Sequence, residues 1–217
     1  MNRPQTGPLP EPSLIPQEGW HCTHVYYELD RAALSQMDAP AVSAGRDALG
    51  NIISGTIDGA PERGQPSIVS GHKADFGLML MDPCPLSVDR LHQAVLQSPL
   101  GHALTPTYSF ISVTEISEYV PTIEQYAARL VQEESYDAKL NAYKQREPIM
   151  RKQRLTPDFP EWPATCFYPM NKKRKVGENW FSLDYPERNR MMAEHARSGM
   201  EFAGKVQQLI TVGVGFD

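Results

Sequence analysis

The chain has 217 residues, 41% of them hydrophobic, and a formal net charge of −5, enough for one large domain or two small ones with a packed core. It holds no run of about 18 apolar residues and so no membrane span. It has no basic-then-apolar leader, and its acidic balance argues against nucleic acid as a partner. Three scattered cysteines, Cys22, Cys84 and Cys166, point to neither a disulfide framework nor a zinc site and fit a reducing cytoplasm.

Residues 1–19 carry five prolines and little periodicity, the pattern of a disordered tail. From Trp20 to Asp30 polar and apolar residues alternate, which predicts a strand. A short helix is expected over Val42 to Ile53, a Gly-, Pro- and Ser-rich loop over Ser54 to Ser70, and a strand over Ala74 to Met81. In the helix expected from Pro85 to Leu104, Val88, Leu91, Val95 and Leu96 form one apolar stripe. Thr107 to Val113 reads as a strand. Helices over Thr122 to Glu134 and Tyr136 to Arg154 follow, with a break expected near Pro148.

Beyond a proline-bounded loop, Thr165 to Met170 reads as a strand. Asp184, Pro186 and Glu187 make a capping-box start for a helix that runs to about Ala203, where Gly204 stops it. Gln207 to Phe216 is β-rich. The alternation gives an α+β chain, read as two ferredoxin-like modules in tandem, 20–120 and 121–217. The second shows strand, helix, strand and then ends at Asp217, so it reads as an incomplete module with an open sheet edge.

Nine of the 21 Lys and Arg residues fall between Lys144 and Lys175 against three acidic residues, a local excess of six positive charges. Such a concentration attracts anions, although a solvated helix and loop is the plainer reading. Three motifs resemble sites and are discounted. Lys-Lys-Arg-Lys-Val at 172–176 is a short basic run. His21 and His24 stand three apart on a strand and so face opposite ways. Gly213-Val214-Gly215 lacks the rest of a dinucleotide fingerprint.

His195 lies mid-helix with Met191, Met192, Ser198 and Gly199 one turn away, and the small residues leave room for a flat object. A neutral imidazole is the usual proximal ligand of haem iron; a helix packed on a sheet, with the histidine hydrogen-bonded in the interface, explains the same residues. Tyr168 precedes Pro169 and is biased to extended backbone. Its phenol can donate a hydrogen bond or lose an electron and a proton, and Lys172 adds a point charge four residues on. An ordinary strand tyrosine and a solvated turn lysine are the plainer readings.

The order Phe-Tyr-Pro-Met-Asn-Lys-Lys-Arg (167–174), Glu-Asn-Trp-Phe (178–181), Glu-Arg-x-x-Met-Met-x-x-His (187–195) and the stretch 202–217 resembles the haem-binding half of the chlorite dismutase-like superfamily, and more narrowly its coproheme decarboxylase branch. Gly-His-Lys-Ala-Asp-Phe from Gly71 and Ser-Val-Thr-Glu-Ile-Ser-Glu-Tyr from Ser112 match more loosely. The resemblance implies His195 as iron ligand and Tyr168 as the residue that becomes the oxidising radical beside a propionate. It implies Lys172 as an aid at a second propionate, Arg154 as a propionate clamp, Met170 in the pocket lining and Gln208 on the distal side. Chlorite dismutases carry an arginine at that last position, so the glutamine argues against chlorite degradation. The implied activity is oxidative decarboxylation of two propionates of coproheme to vinyls with hydrogen peroxide, giving protohaem in haem biosynthesis. Coproheme would then be both substrate and redox cofactor. A homopentamer and supply of coproheme by a ferrochelatase are implied in the same way. The alternatives are a haem-binding or haem-transfer protein without catalysis, a chlorite dismutase, and an iron-free interaction module.

Overall fold

A computed structural model of the protein describes residues 13–215. Most of the expected tail, residues 1–12, lies outside the described residues, as do Phe216 and Asp217. In chain order the elements are β1 (His21–Leu29), α1 (Arg31–Ser35), α2 (Ala39–Ile53), β2 (Arg63–Ile68), β3 (Phe76–Asp82), α3 (Pro85–Gln97), β4 (Leu104–Thr114), α4 (Ile123–Leu130), α5 (Tyr136–Leu155), β5 (Arg174–Lys175), β6 (Glu178–Asn179), α6 (Tyr185–Met200) and β7 (Thr211–Gly213). The described residues form two compact units. One runs through Glu115 and is joined by the residues from Thr211; the other is Ile116–Ile210.

The first unit is a five-stranded sheet in the order β2-β3-β1-β4-β7, with antiparallel neighbours throughout. Two helical crossovers, through α2 and α3, give the β-α-β-β-α-β connection of a ferredoxin-like fold. Its core is built as strand and helix periods require. Val25 and Tyr27 from β1, Leu78 and Leu80 from β3, and Val88, Leu91 and Val95 from α3 make one buried cluster, with Leu49, Ile52 and Ile53 of α2 packed on it. Tyr27 is fully buried. Its phenol bonds His92 Nδ1 at 2.7 Å and its ring stacks on Phe76, so the buried hydroxyl keeps a partner. A bulge between Tyr26 and Tyr27 shifts the β1–β4 register by one residue. The sheet is open at β2 and β7, and no closed barrel forms among the described residues.

Four expectations need correction. Residues 54–70 are not all loop, because Arg63–Ile68 forms β2 against β3. Its Gly64 and Pro66 mask the strand in the sequence, and the proline is tolerated because β2 is an edge strand. Thr165 to Met170 forms no strand; extended propensity alone does not make one. The final strand is only Thr211–Gly213, paired with Ser112–Thr114 at the free edge of β4. Lastly, α5 continues through Pro148 without a break. Pro148 and Lys144 are both exposed, so the turn whose Lys144 carbonyl loses its helical donor to the proline lies on the open side of the helix. Leu140, Tyr143 and Leu155 anchor the helix on either side.

Candidate functional site

All six residues singled out in the sequence fall in the second unit, Ile116–Ile210. The helix α6 carries His195. It starts as the sequence predicts: Asp184 is the N-cap, its carboxylate accepting the Glu187 N–H at 2.9 Å, with Pro186 in the first turn. The reciprocal half of the capping box is not made. Glu187 is held by Arg190 instead, which also bonds Glu194 at 2.6 Å. The Arg190 guanidinium keeps the Glu187 carboxyl below the usual carboxylate range. The helix ends at Met200, short of Ala203, and the chain turns out through Gly204 at φ +79°.

His195 is exposed on α6, and its ring makes no hydrogen bond among the described residues. The surface around it is soft and uneven. Met191 and Met192 precede it by about one turn, and Ser198 and Gly199 follow by one. A methyl placed on Gly199 would meet nothing within 4 Å, so the space beside that turn is open. Among the described residues no three His, Cys, Asp or Glu side chains come together to hold a bare metal ion. One imidazole is sufficient where a macrocycle supplies the other in-plane donors. The donor set and the open flank therefore fit an iron porphyrin.

Lys172 is brought to this helix. Its ammonium lies 3.9 Å from Met192 Sδ and 4.3 Å from the centre of the Trp180 ring. Tyr168 is 56% exposed and Met170 76%. Both lie in the irregular stretch before β5. Arg154 sits in the last turn of α5, half-buried. Gln208 is exposed between α6 and β7, and its neighbour Gln207 donates to the Asp158 carbonyl at 3.2 Å. Tyr168, Arg154, Met170 and Gln208 make no hydrogen bond or ion pair with His195 or with one another among the described residues. A pocket of about 190 Å³ beside α4 and α5 is lined by Ile116, Val120, Ile123, Glu147 and Arg151; none of the six residues borders it.

Sequence reading missed the side chains that frame Lys172. Trp180 meets Tyr119 edge-on, with centroids 6.3 Å apart, and Tyr119 stacks on Tyr185 at 5.7 Å. Tyr185 donates to the Glu118 carbonyl, and Arg188 lies 3.6 Å from Glu118. Burial is the first cause that raises the Tyr119 phenol above its ordinary value. The one available signal was the aromatic pair Trp180-Phe181 following a basic run.

The three motifs set aside in the sequence all fall in or beside strands. The basic run forms the exposed hairpin β5–β6, with Lys173 paired to Glu178 at 2.7 Å and Arg174 over the Phe181 ring. His21 bonds the Leu14 carbonyl through Nε2 at 2.9 Å, and Gly215 turns the chain away just after β7.

Comparison with solved structures agrees with this architecture. A protein from Thermus thermophilus, described as a novel haem-binding protein, superposes with a TM-score of 0.66 at 27% identity, over 86% of this chain and 68% of that one. A mutant of the chlorite dismutase of Candidatus Nitrospira defluvii superposes with a TM-score of 0.60 at 15% identity, covering 94% of this chain and 74% of that one. The imidazole complex of the same enzyme gives 0.58 at 16% identity, with 94% and 74% covered. The family model described as chlorite dismutase matches residues 53–217, more than half of the chain, and the chain therefore belongs to the chlorite dismutase family.

Proposed function

We propose that this protein binds coproheme through His195 and converts two of its propionates to vinyl groups with hydrogen peroxide. The observation that carries the reading is a single exposed imidazole on a helix with an open flank, with the Lys172 ammonium held against Met192, three residues from that imidazole. Membership of the family supports it, as does the haem-binding description of the relative from Thermus thermophilus.

The iron, when bound, supplies oxidising equivalents drawn from peroxide. The chain supplies position and charge. The Tyr168 phenol, whose hydroxyl has no partner among the described residues, would give up an electron and a proton and then take a hydrogen atom from a propionate side chain; the second electron released as the carboxyl leaves would go to the remaining oxidising equivalent drawn from the same peroxide. Each round breaks one carbon–carboxyl bond. One propionate, one peroxide and one proton become one vinyl, one carbon dioxide and two waters. Lys172 neutralises the second carboxylate to react. Arg154, a planar donor fork suited to carboxylates, holds a propionate that does not react. Met170 would line the porphyrin pocket, and Gln208 would take the place that an arginine holds in chlorite dismutases. The proposed haem-binding residues all lie in the unit Ile116–Ile210. A cytoplasmic homopentamer supplied by a ferrochelatase is the setting proposed.

The test is mass spectrometry of the porphyrin after peroxide is added to the coproheme complex. Loss of two carboxyl groups is expected. The Tyr168→Phe variant should bind coproheme with an unchanged Soret band yet form no vinyl; normal conversion in that variant would remove tyrosine from the mechanism. A second reading, haem binding without catalysis, is favoured by the description of the Thermus thermophilus relative and predicts that both carboxyls survive peroxide.

A further inference from the structure

The Lys172 ammonium touches two side chains with no opposing charge, Trp180 and Met192. Its neighbours in the basic run behave differently: Lys173 pairs with Glu178, and Arg174 stacks on Phe181. Lysine is a compact charge on a flexible four-carbon stem. Holding it in one place costs rotamer freedom unless something binds the head group. A tryptophan face does that, because its quadrupole attracts a cation, and a polarisable thioether packs well beside it.

We propose that Trp180 and Met192 are positioning residues that hold the Lys172 ammonium against α6, so that one helix carries both the iron-binding imidazole and the cation. The indole is itself tied to the start of that helix. Trp180 rests on Tyr119, Tyr119 stacks on Tyr185, and Tyr185 is the first residue of α6. Arg188, one turn on, lies over the Tyr185 ring and pairs with Glu118. Met192 grips the ammonium three residues before His195. The cation is thus referenced to α6 at two points, and its separation from the imidazole is set by helix geometry rather than by a mobile loop. This assignment rests on the proposed coproheme reading for its purpose, though not for its geometry.

Two measurements on the full chain separate the two. First, the protein is labelled with ¹³C-lysine, and the Lys172 signal is assigned by its loss in Lys172→Met. Protons on the Lys172 ε-carbon, held over an indole, should resonate upfield of the other lysines. The shift should vanish in Trp180→Leu, persist in part in Trp180→Phe, and shrink in Met192→Leu. An ordinary Lys172 shift in the unaltered protein overturns the clamp. Second, the two decarboxylation rounds are timed by mass. Trp180→Leu should slow the second round by roughly two- to fivefold, the size of an exposed cation–π contact, and raise the share of product that has lost one carboxyl. Trp180→Phe should restore most of the rate. The effect should disappear in a Lys172→Met background, which a merely structural role for Trp180 would not produce. A shift lost with both rounds unchanged overturns the positioning role. If the upfield shift is present but no carboxyl is ever lost, the coproheme reading fails and the clamp stands on the first measurement.

Discussion

Acid should weaken the ferredoxin-like sheet in large part through His24, with His92, whose pKa burial also lowers, acting in the same direction. His24 lies in β1 at 8% exposure, directly across from Met79 on β3 and Phe110 on β4. Burial lowers its pKa from 6.5 to about 4, so the folded protein keeps the ring neutral where the unfolded chain would protonate it. Above pH 6.5 both states are neutral and His24 contributes nothing to the pH dependence. As pH falls below 6.5 the unfolded state binds a proton that the folded state refuses, and stability declines until about pH 4. A displacement of this size corresponds to about 3 kcal/mol. The measurement is native-state hydrogen exchange of the β1 amides between pH 7 and pH 4, corrected for the intrinsic rate, in the unaltered protein and in His24→Leu. Protection in the unaltered protein should fall by about 3 kcal/mol more than in the variant over that window. Parallel curves would show that burial is not what keeps the ring neutral.

Two further outcomes follow from the same structure. Leu91, 1% exposed at the centre of the α3 stripe, should cost about 3 kcal/mol when changed to Ala, the usual size of a leucine cavity; chemical denaturation of the first unit reads this, and a loss under 1 kcal/mol would mean that the site collapses freely. Asp184→Ala should cost α6 about 1 kcal/mol through the lost cap, visible as faster hydrogen exchange in its first turn. Unchanged exchange there would show that the bond to the Glu187 N–H carries no weight.

Much of this protein is legible in its residues because the signals are local. The alternation of Trp20 to Asp30, the stripe Val88, Leu91 and Val95, and the Asp184 cap each depend on neighbours within a turn or a strand, and each lies close to where it was expected. His195 stands on a helix, as its surroundings predict. What needed the tertiary structure depends on partners far along the chain. Arg63–Ile68 becomes a strand only because β3 offers it a ladder, while Thr165 to Met170 stays irregular. Thr211–Gly213 closes on β4, about a hundred residues earlier. Pro148 leaves α5 intact because it and Lys144 face water, a matter of which side of the helix is covered. The contact of Lys172 with Trp180 and Met192 joins positions 8 and 20 residues apart. No periodicity encodes such a meeting, since a side chain's chemistry is written at its own position while its neighbours are chosen by how the whole chain packs.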